Sequence, residues 1–428
     1  MRTDTNRPTS EAASFPYSRL DSTTLSMPSY KQVTNTAIGD VSYDFGNGIK
    51  LFNQSQFSDL SVRRVITPRS NGGAYIDQWN ASNETRLTFG DESSTFSGVV
   101  GAFYKHTKSS EVLYVRGTSD FDDTKNSLGI YSELRYRLTD RWTLTGGLRY
   151  QNDQVDRSGT TTYSRSALAY DKTFEALLPR VSIAYALTPD VTVGALVSKG
   201  YNPGGVGLSF AQSRFFEFKE ETVWNYELFG RAALLDGRLN LSGNLFYNDF
   251  KDSQRLLPDY LNGVLYGAVV VNADKAESYG AEFSADYRVL DNLRLKGSLG
   301  LLHTEINRFP NNGAVLEGKE FGRAPGYMFS VGVDWDITSQ IKLAADLRHT
   351  DSYYSTDENI PAYRIGAYTV ANARLTYKPT DKLEFFTYAN NIFDARKPTW
   401  KLDDRTAGGI VSSMAPPREI GIGMKASF

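Results

Sequence analysis

There is no cysteine among the 428 residues, and that absence removes several kinds of chemistry at once. Without thiols the chain has no disulfide scaffold, no thiolate metal site and no cysteine nucleophile. Long apolar runs are missing too: no stretch approaches the roughly 20 apolar residues of a membrane-spanning helix. Mean hydropathy is −0.40. A helical membrane protein is thereby excluded, but a β-barrel is not, because only every second strand residue meets lipid. An excess of basic charge is also lacking. Lys and Arg number 47 against 49 Asp and Glu, a net charge of −2, which argues against a nucleic-acid binder. Histidine occurs 3 times, at His106, His303 and His349. None has a second histidine within a few residues, and with no cysteine in the chain no His/Cys metal motif is formed. The opening stretch, MRTDTNRPTSEAASFPYSRLDSTTLSMPSY, lacks the apolar core of a secretory signal peptide.

What the sequence has instead is aromatic residues and glycine: 26 Tyr, 24 Phe and 36 Gly. That is a composition of strands and turns. The length would hold two or three soluble domains or one large barrel, and the period-2 pattern favours the barrel. In ELRYRLTDRWTLTGGLRY the apolar set is Leu134, Tyr136 and Leu138, then Trp142, Leu144, Leu148 and Tyr150 beyond a tight turn. VSIAYALTPDVTVGALV, YGAEFSADYRVLDNLRLKGSLGLL and FSVGVDWDITSQIKLAADL repeat the arrangement. Alternation persists for about nine to eleven residues per strand, the length a tilted strand needs to cross a membrane. Short turns are expected near Gly46–Gly48, Gly90–Ser93, Thr139, Pro189, Asp236, Asp291, Ser339 and Pro379. Between them the connections are long, polar and rich in Gly and Pro. A propeller blade has a similar period but packs four short strands into it, whereas each period here holds two long ones.

Eight short turns imply about sixteen strands, and the terminal one makes about seventeen, too wide a barrel for inward side chains to fill. The apolar face must therefore meet lipid. Glu133, Arg135, Arg137, Glu282, Asp286, Arg288, Arg294 and Lys296 fall on the opposite face and would line a watery lumen. Trp142, Tyr150, Tyr185, Tyr201, Trp224, Tyr247, Trp335 and Tyr377 lie toward strand ends and suit interfacial girdles. The predicted fold is all-β: a large antiparallel transmembrane β-barrel with short periplasmic turns and long extracellular loops. An odd strand count cannot close a bacterial barrel, so the first part of the barrel is expected to be missing. Residues 1–35 are expected to be an irregular segment, part of an extracellular loop, with the barrel over 36–428.

Several segments resemble one family: LLPRVSIAYALTPDVTVGALVSKGYNPGG, EETVWNYELFGRAALLDGRLNLSGNLFYNDFKD, NADKAESYGAEFSADYRVLDNLRL, ANNIFD and the ending PPREIGIGMKASF. As an ordered set they are similar to the carboxyl-terminal part of TonB-dependent receptors. The resemblance implies a barrel of twenty-two strands, about five more than are present here. It also implies a lumen closed by an amino-terminal plug, and uptake of a scarce ligand, most often a ferric siderophore, with energy passed on by TonB. The implied location is the bacterial outer membrane, and the chain is expected to be a partial receptor. The expected partners are the TonB complex (through the missing amino-terminal part), the barrel-assembly machinery, outer-membrane lipids and a siderophore or other small molecule. No cofactor and no nucleic acid is expected, and the barrel should be a monomer. A passive porin and a soluble β-repeat binding protein are the alternatives.

Arg214, Phe215, Phe216, Tyr353, Tyr354, Trp400 and Arg405 offer cationic and aromatic groups in the long connections, suited to anionic, aromatic chelates. Asp120, Asp122 and Asp123 lack the Gly and distal Glu of a calcium loop and are expected in a solvated outer loop. NPGGVG at 202–207 has no Lys/Ser pair and no following helix, so it should only let the chain bend. His106 with Ser109 falls short of an acyl-transfer site, and no enzyme is expected. The chain ends on an alternating strand whose Ile422, Met424 and Phe428 share one face. The resemblance implies that such an ending is an assembly signal.

Overall fold

The computed structural model describes residues 2–8, 29–66, 70–115, 117–310, 316–404 and 409–427. Its strands are β1 (Arg2–Pro8), β2 (Ser29–Gly46), β3 (Ile49–Val65), β4 (Asn71–Phe89), β5 (Phe96–Val115), β6 (Thr118–Arg137), β7 (Trp142–Thr161) and β8 (Leu168–Thr188). After these come β9 (Val191–Asn202), β10 (Gly205–Ser209), β11 (Arg214–Phe218), β12 (Glu221–Leu234), β13 (Leu239–Leu261), β14 (Val264–Leu290), β15 (Leu293–Arg308) and β16 (Tyr327–Asp336). The last are β17 (Ile341–Thr350), β18 (Tyr353–Tyr354), β19 (Arg364–Ile365), β20 (Tyr368–Thr380), β21 (Leu383–Asn390), β22 (Pro398–Asp404), β23 (Gly409–Met414) and β24 (Glu419–Ala426). Eighteen strands form one antiparallel sheet, or seventeen when the short β1 is set aside. Each pairs with its neighbour in chain order, the hairpins β10–β11, β18–β19 and β22–β23 standing outside the sheet. Among the described residues no pairing joins β24 back to β1 or β2.

The expected turns are all present. Some are built by side chains: Asp91 accepts from the backbone N–H groups of Ser93 and Ser94 and from both hydroxyls. Those bonds, the Ser93 hydroxyl first, hold its carboxyl down to about 2. The last turn falls at residues 381–382, two beyond Pro379, because β20 runs through to Thr380 past an irregularity after Tyr377.

On the other side, the structure departs from a picture of loops alone. Strands β5 and β6 run for 20 residues, β13 for 23 and β14 for 27, and Asn262 and Gly263, with φ of 52° and 75°, close the β13–β14 tip. Alternation fades beyond the membrane because both faces there meet water, yet the backbone ladder continues. For the same reason Asp120, Asp122 and Asp123 belong to strand β6 and not to a loop. Asp123 is buried beside Arg157, 3.3 Å away, which also pairs with Glu111 at 2.9 Å. Strand β2 likewise takes in residues 29–35, where Tyr30, Gln32 and Thr34 form a hydrogen-bonded ladder along one face.

The two faces of the sheet differ as the alternation requires. Val181, Leu228, Phe283 and Val331 are each about half exposed or more, at 53%, 58%, 49% and 52%. That is the signature of an apolar face turned to lipid rather than to a core. Phe89, Phe96, Tyr136, Trp142, Trp335 and Tyr377 mark its short-turn edge. Trp79, Tyr104, Tyr150, Trp224, Tyr279 and Tyr327 lie about ten residues further along their strands, one membrane crossing away. All three histidines join this second girdle. His106 packs on Trp79, His303 on Tyr279, and His349 against both Tyr327 and Phe329. Ser109 lies on the opposite face of β5 from His106. Tyr201 leaves the girdle and packs with a buried cluster of Phe121, Val155, Leu168, Tyr170 and Phe174.

The other face carries the charges in pairs: Glu133 with Arg180 at 3.6 Å, Asp286 with Arg294 at 2.5 Å and Lys296 with Asp334 at 2.6 Å. An open pocket of about 600 Å³ on this face is lined by residues such as Glu227, Arg231, Asn244, Ser284, Ser298 and Arg348.

Candidate functional site

The long connections gather at one end of the sheet, and a single carboxylate holds three of them together. Asp357, in the connection that carries β18 and β19, accepts two hydrogen bonds from Arg255 on the β13 extension, at 2.6 and 2.8 Å. It also accepts the backbone N–H of Gly322 at 2.6 Å, from the β15–β16 connection. The Arg255 guanidinium lies 3.8 Å over the Phe321 ring. Both charges are largely buried, which demands such complete pairing. Two residues on, Asn359 adopts a left-handed conformation with φ of 51°. Its amide trades hydrogen bonds with the backbone of Glu320 in both directions. The Ser355 hydroxyl donates to the Tyr363 carbonyl and accepts from the Lys401 backbone N–H, so the β22 hairpin is tied to the same unit. Tyr260 completes the stitching by donating to the Asp403 carbonyl.

On this unit sit three of the residues singled out from sequence. Tyr353 is buried and donates to the Thr399 carbonyl at 2.8 Å, making it a fastening between β18 and β22. Tyr354 lies under Arg364, 5.8 Å from guanidinium to ring centroid, and Trp400 lies under Arg323 at 5.9 Å. Arg323, Arg255 and Asp357 carried no sequence signal, because their partners come from other loops, and Arg364 carried none because only the β18–β19 pairing sets it over Tyr354.

Arg214, Phe215 and Phe216 sit apart from it, on the β10–β11 hairpin. Arg214 stacks over Phe216 at 4.1 Å, whereas Phe215 packs edge-on to Phe121 at the rim of the buried aromatic cluster. Asp259 of β13 anchors the hairpin by accepting from the Ser209 hydroxyl and the Ala211 backbone N–H. A short ion pair between Lys172 and Glu217 fastens its outer strand. The NPGGVG bend has a steric reason: a Cβ at Gly204 would stand 2.5 Å from the Phe218 carbonyl and 2.7 Å from the Phe174 ring. Arg405 and Phe428 lie outside the described residues. Ile422 and Met424 are on β24, exposed at 88% and 63% on the lipid side of the sheet's last strand.

The chemistry on offer at this end is recognition. Guanidinium groups stacked on aromatic rings remain free to bind anions along their edges. Among the described residues no three His, Cys, Asp or Glu side chains converge on a metal-sized site. Burial pushes the Glu358 carboxyl above its ordinary 4.5. An acid with a raised folded-state value stabilises most below its unfolded value and loses that contribution as pH rises through the folded one. The loop unit is therefore expected to resist proteolysis better at pH 4.5 than at pH 7.5. Glu358→Gln should flatten that dependence, and an equally steep profile in the variant would count against it.

A family model described as "TonB dependent receptor-like, beta-barrel" matches residues 2–392. The pesticin receptor of Yersinia pestis is 26% identical over 317 residues, 71% of this chain and 44% of the relative. The metal-pseudopaline receptor of Pseudomonas aeruginosa is 23% identical over 276 residues, covering 63% and 37%. The chain thus spans less than half the length of these curated relatives. Among solved structures, the ferric yersiniabactin uptake receptor from Yersinia pestis superposes with a TM-score of 0.83 at 21% identity, covering 100% of this chain and 67% of that one. The ferric citrate transporter in its unliganded form gives 0.75 at 15% identity, covering 99% and 66%. The alternating sheet, its lipid-facing girdles and the match along nearly the whole chain agree: this chain belongs to the TonB-dependent receptors, as part of the wall of an outer-membrane β-barrel.

Proposed function

We propose that the complete protein captures a bulky, anionic metal chelate of the siderophore class and passes it inward with energy supplied by TonB. The observation that carries this reading is the loop unit, where Arg364 and Arg323 lie over Tyr354 and Trp400 on a scaffold stitched across three connections by the buried Arg255–Asp357 pair. Such a surface recognises the organic shell of a chelate, so the metal travels as cargo and needs no protein ligand. Its relatives are receptors for uptake rather than enzymes, and binding without chemical conversion of the chelate is the activity proposed here. Arg214, Phe216, Tyr354, Trp400 and Arg405 are the proposed contacts, with Phe215 and Tyr353 supporting them from below. Growth of a deletion strain on a panel of single iron sources tests the reading: loss on one or a few ferric siderophores is expected. Unchanged growth on all of them would point to another kind of ligand. A passive porin would instead make liposomes permeable to small sugars.

Assembly follows from the same family. The ending that contains Ile422, Met424 and Phe428 is proposed to be read by the barrel-assembly machinery. In the complete receptor, Phe428→Ser should lower the amount of folded barrel in outer membranes several-fold while leaving ligand affinity per folded molecule unchanged. Equal membrane levels of variant and parent would refute it.

A further inference from the structure

Among the described residues of the lipid-facing belt, polar side chains such as Ser132 and Thr387 stand singly between apolar neighbours, but at one place four stand together. Asn53 and Ser55 on β3 stand opposite Thr85 and Asn83 on β4, on the face that also carries Leu51, Leu87 and Phe89. They lie between the girdle residues Phe89 and Trp79, at the depth where other strands present Val181, Ala195, Leu228, Leu245, Phe283 and Val331. The four side chains bond to one another. The Asn53 amide donates to Asn83 Oδ1 and to Thr85 Oγ1 at 3.2 and 2.7 Å. The Asn83 amide donates to Asn53 Oδ1 and to Ser55 Oγ at 3.2 and 2.9 Å, and Thr85 donates to Asn83 Oδ1. In this network the Ser55 hydroxyl only accepts, and Asn53 Oδ1 accepts once. Capacity to donate and to accept therefore remains at a depth where no water can use it. The surroundings are mixed: Gly39 opposite Ser55, Ala102 opposite Thr85 and Ala81 on β4 are small and let a neighbour approach the Ser55–Thr85 side, whereas Val41 opposite Asn53 and Tyr104 opposite Asn83 flank the patch with larger exposed side chains.

Polar side chains in hydrocarbon carry a free-energy cost, and small residues around a polar group are the means by which membrane segments associate. We propose that this patch is a lateral interface, and that its occupant is a second copy of this chain. Lipid tails offer it nothing to bond. Amides and hydroxyls both donate and accept, so a patch built from them is complementary to itself. Two copies inserted with the same orientation are related by a two-fold axis along the membrane normal, which brings each patch against its own kind at equal depth. The proposal departs from the monomer expected from the sequence, where the polar residues of β3 and β4 were not separated by face.

The absence of cysteine from these 428 residues supplies a test, run with any cysteine elsewhere in the complete receptor replaced by serine. In outer-membrane preparations of the protein carrying Ser55→Cys as its one thiol, mild oxidation should yield a covalent dimer several-fold more abundant than with Val181→Cys, on the apolar belt of β8. Adding Asn53→Leu, Asn83→Leu and Thr85→Val should abolish that excess while the barrel keeps its heat-modifiable mobility. Equal cross-linking at the two sites, none at Ser55→Cys, a product with a different protein, or a dimer that survives the three apolar substitutions would each overturn the proposal.

Discussion

Asp357→Ala should loosen the loop unit by about 3–5 kcal/mol, the cost of leaving a buried charge without its partner. Arg255 and Asp357 are 14% and 6% exposed, so little solvent is at hand to replace the lost carboxylate. The same substitution also strands the Gly322 N–H. Hydrogen exchange should show residues 316–326 and 351–367 losing protection together, while the membrane-level strands keep theirs. Ligand affinity should fall as well, because Tyr354 and Trp400 are held by the same scaffold. The paired replacement Arg255→Met with Asp357→Leu removes both charges and should recover most of the loop protection. If Asp357→Ala changed protection by less than about 1 kcal/mol, the carboxylate would be no clamp.

The second large effect separates the faces of the sheet. Val181→Arg places a charge at the middle of the lipid-facing belt and should cost about 2–4 kcal/mol of folding stability in bilayers. Asn244→Arg, on the charged face beside Glu282, should be close to neutral. Urea titrations of the barrel refolded into lipid vesicles would show the difference directly. Similar losses at both sites would mean that the polar face is packed rather than watery.

Much of this architecture was legible because lipid enforces a rule that water does not. Where one face must be apolar, the period of two is strict, and the turns at Thr139, Pro189 and Asp291 could be placed from the pattern alone. Beyond the membrane the rule lapses, which is why the β13–β14 extensions and the strand position of Asp123 were invisible. The candidate site was legible only as residue types. Tyr354 and Trp400 stand out as loop aromatics, but the arginine over Trp400 comes from another connection, and the one over Tyr354 is brought to it only by the β18–β19 pairing. Arg255 and Asp357 are separated by 102 residues, and no local pattern links them. The polar patch on β3 and β4 was present in the sequence but needed the strand register to put Asn53, Ser55, Asn83 and Thr85 on one face.

The inequality between the two ends of the sheet also bears on how the protein enters its membrane. One end is trimmed to turns of a few residues, and the other carries the strand extensions, three extra hairpins and the buried Arg255–Asp357 pair. A barrel delivered from the periplasm must move that second, heavily charged end through the hydrocarbon layer, whereas the trimmed end never has to cross. The barrier to insertion is therefore set by the part that recognises the ligand. Larger or more highly charged recognition loops would slow insertion even where they add nothing to the stability of the finished barrel.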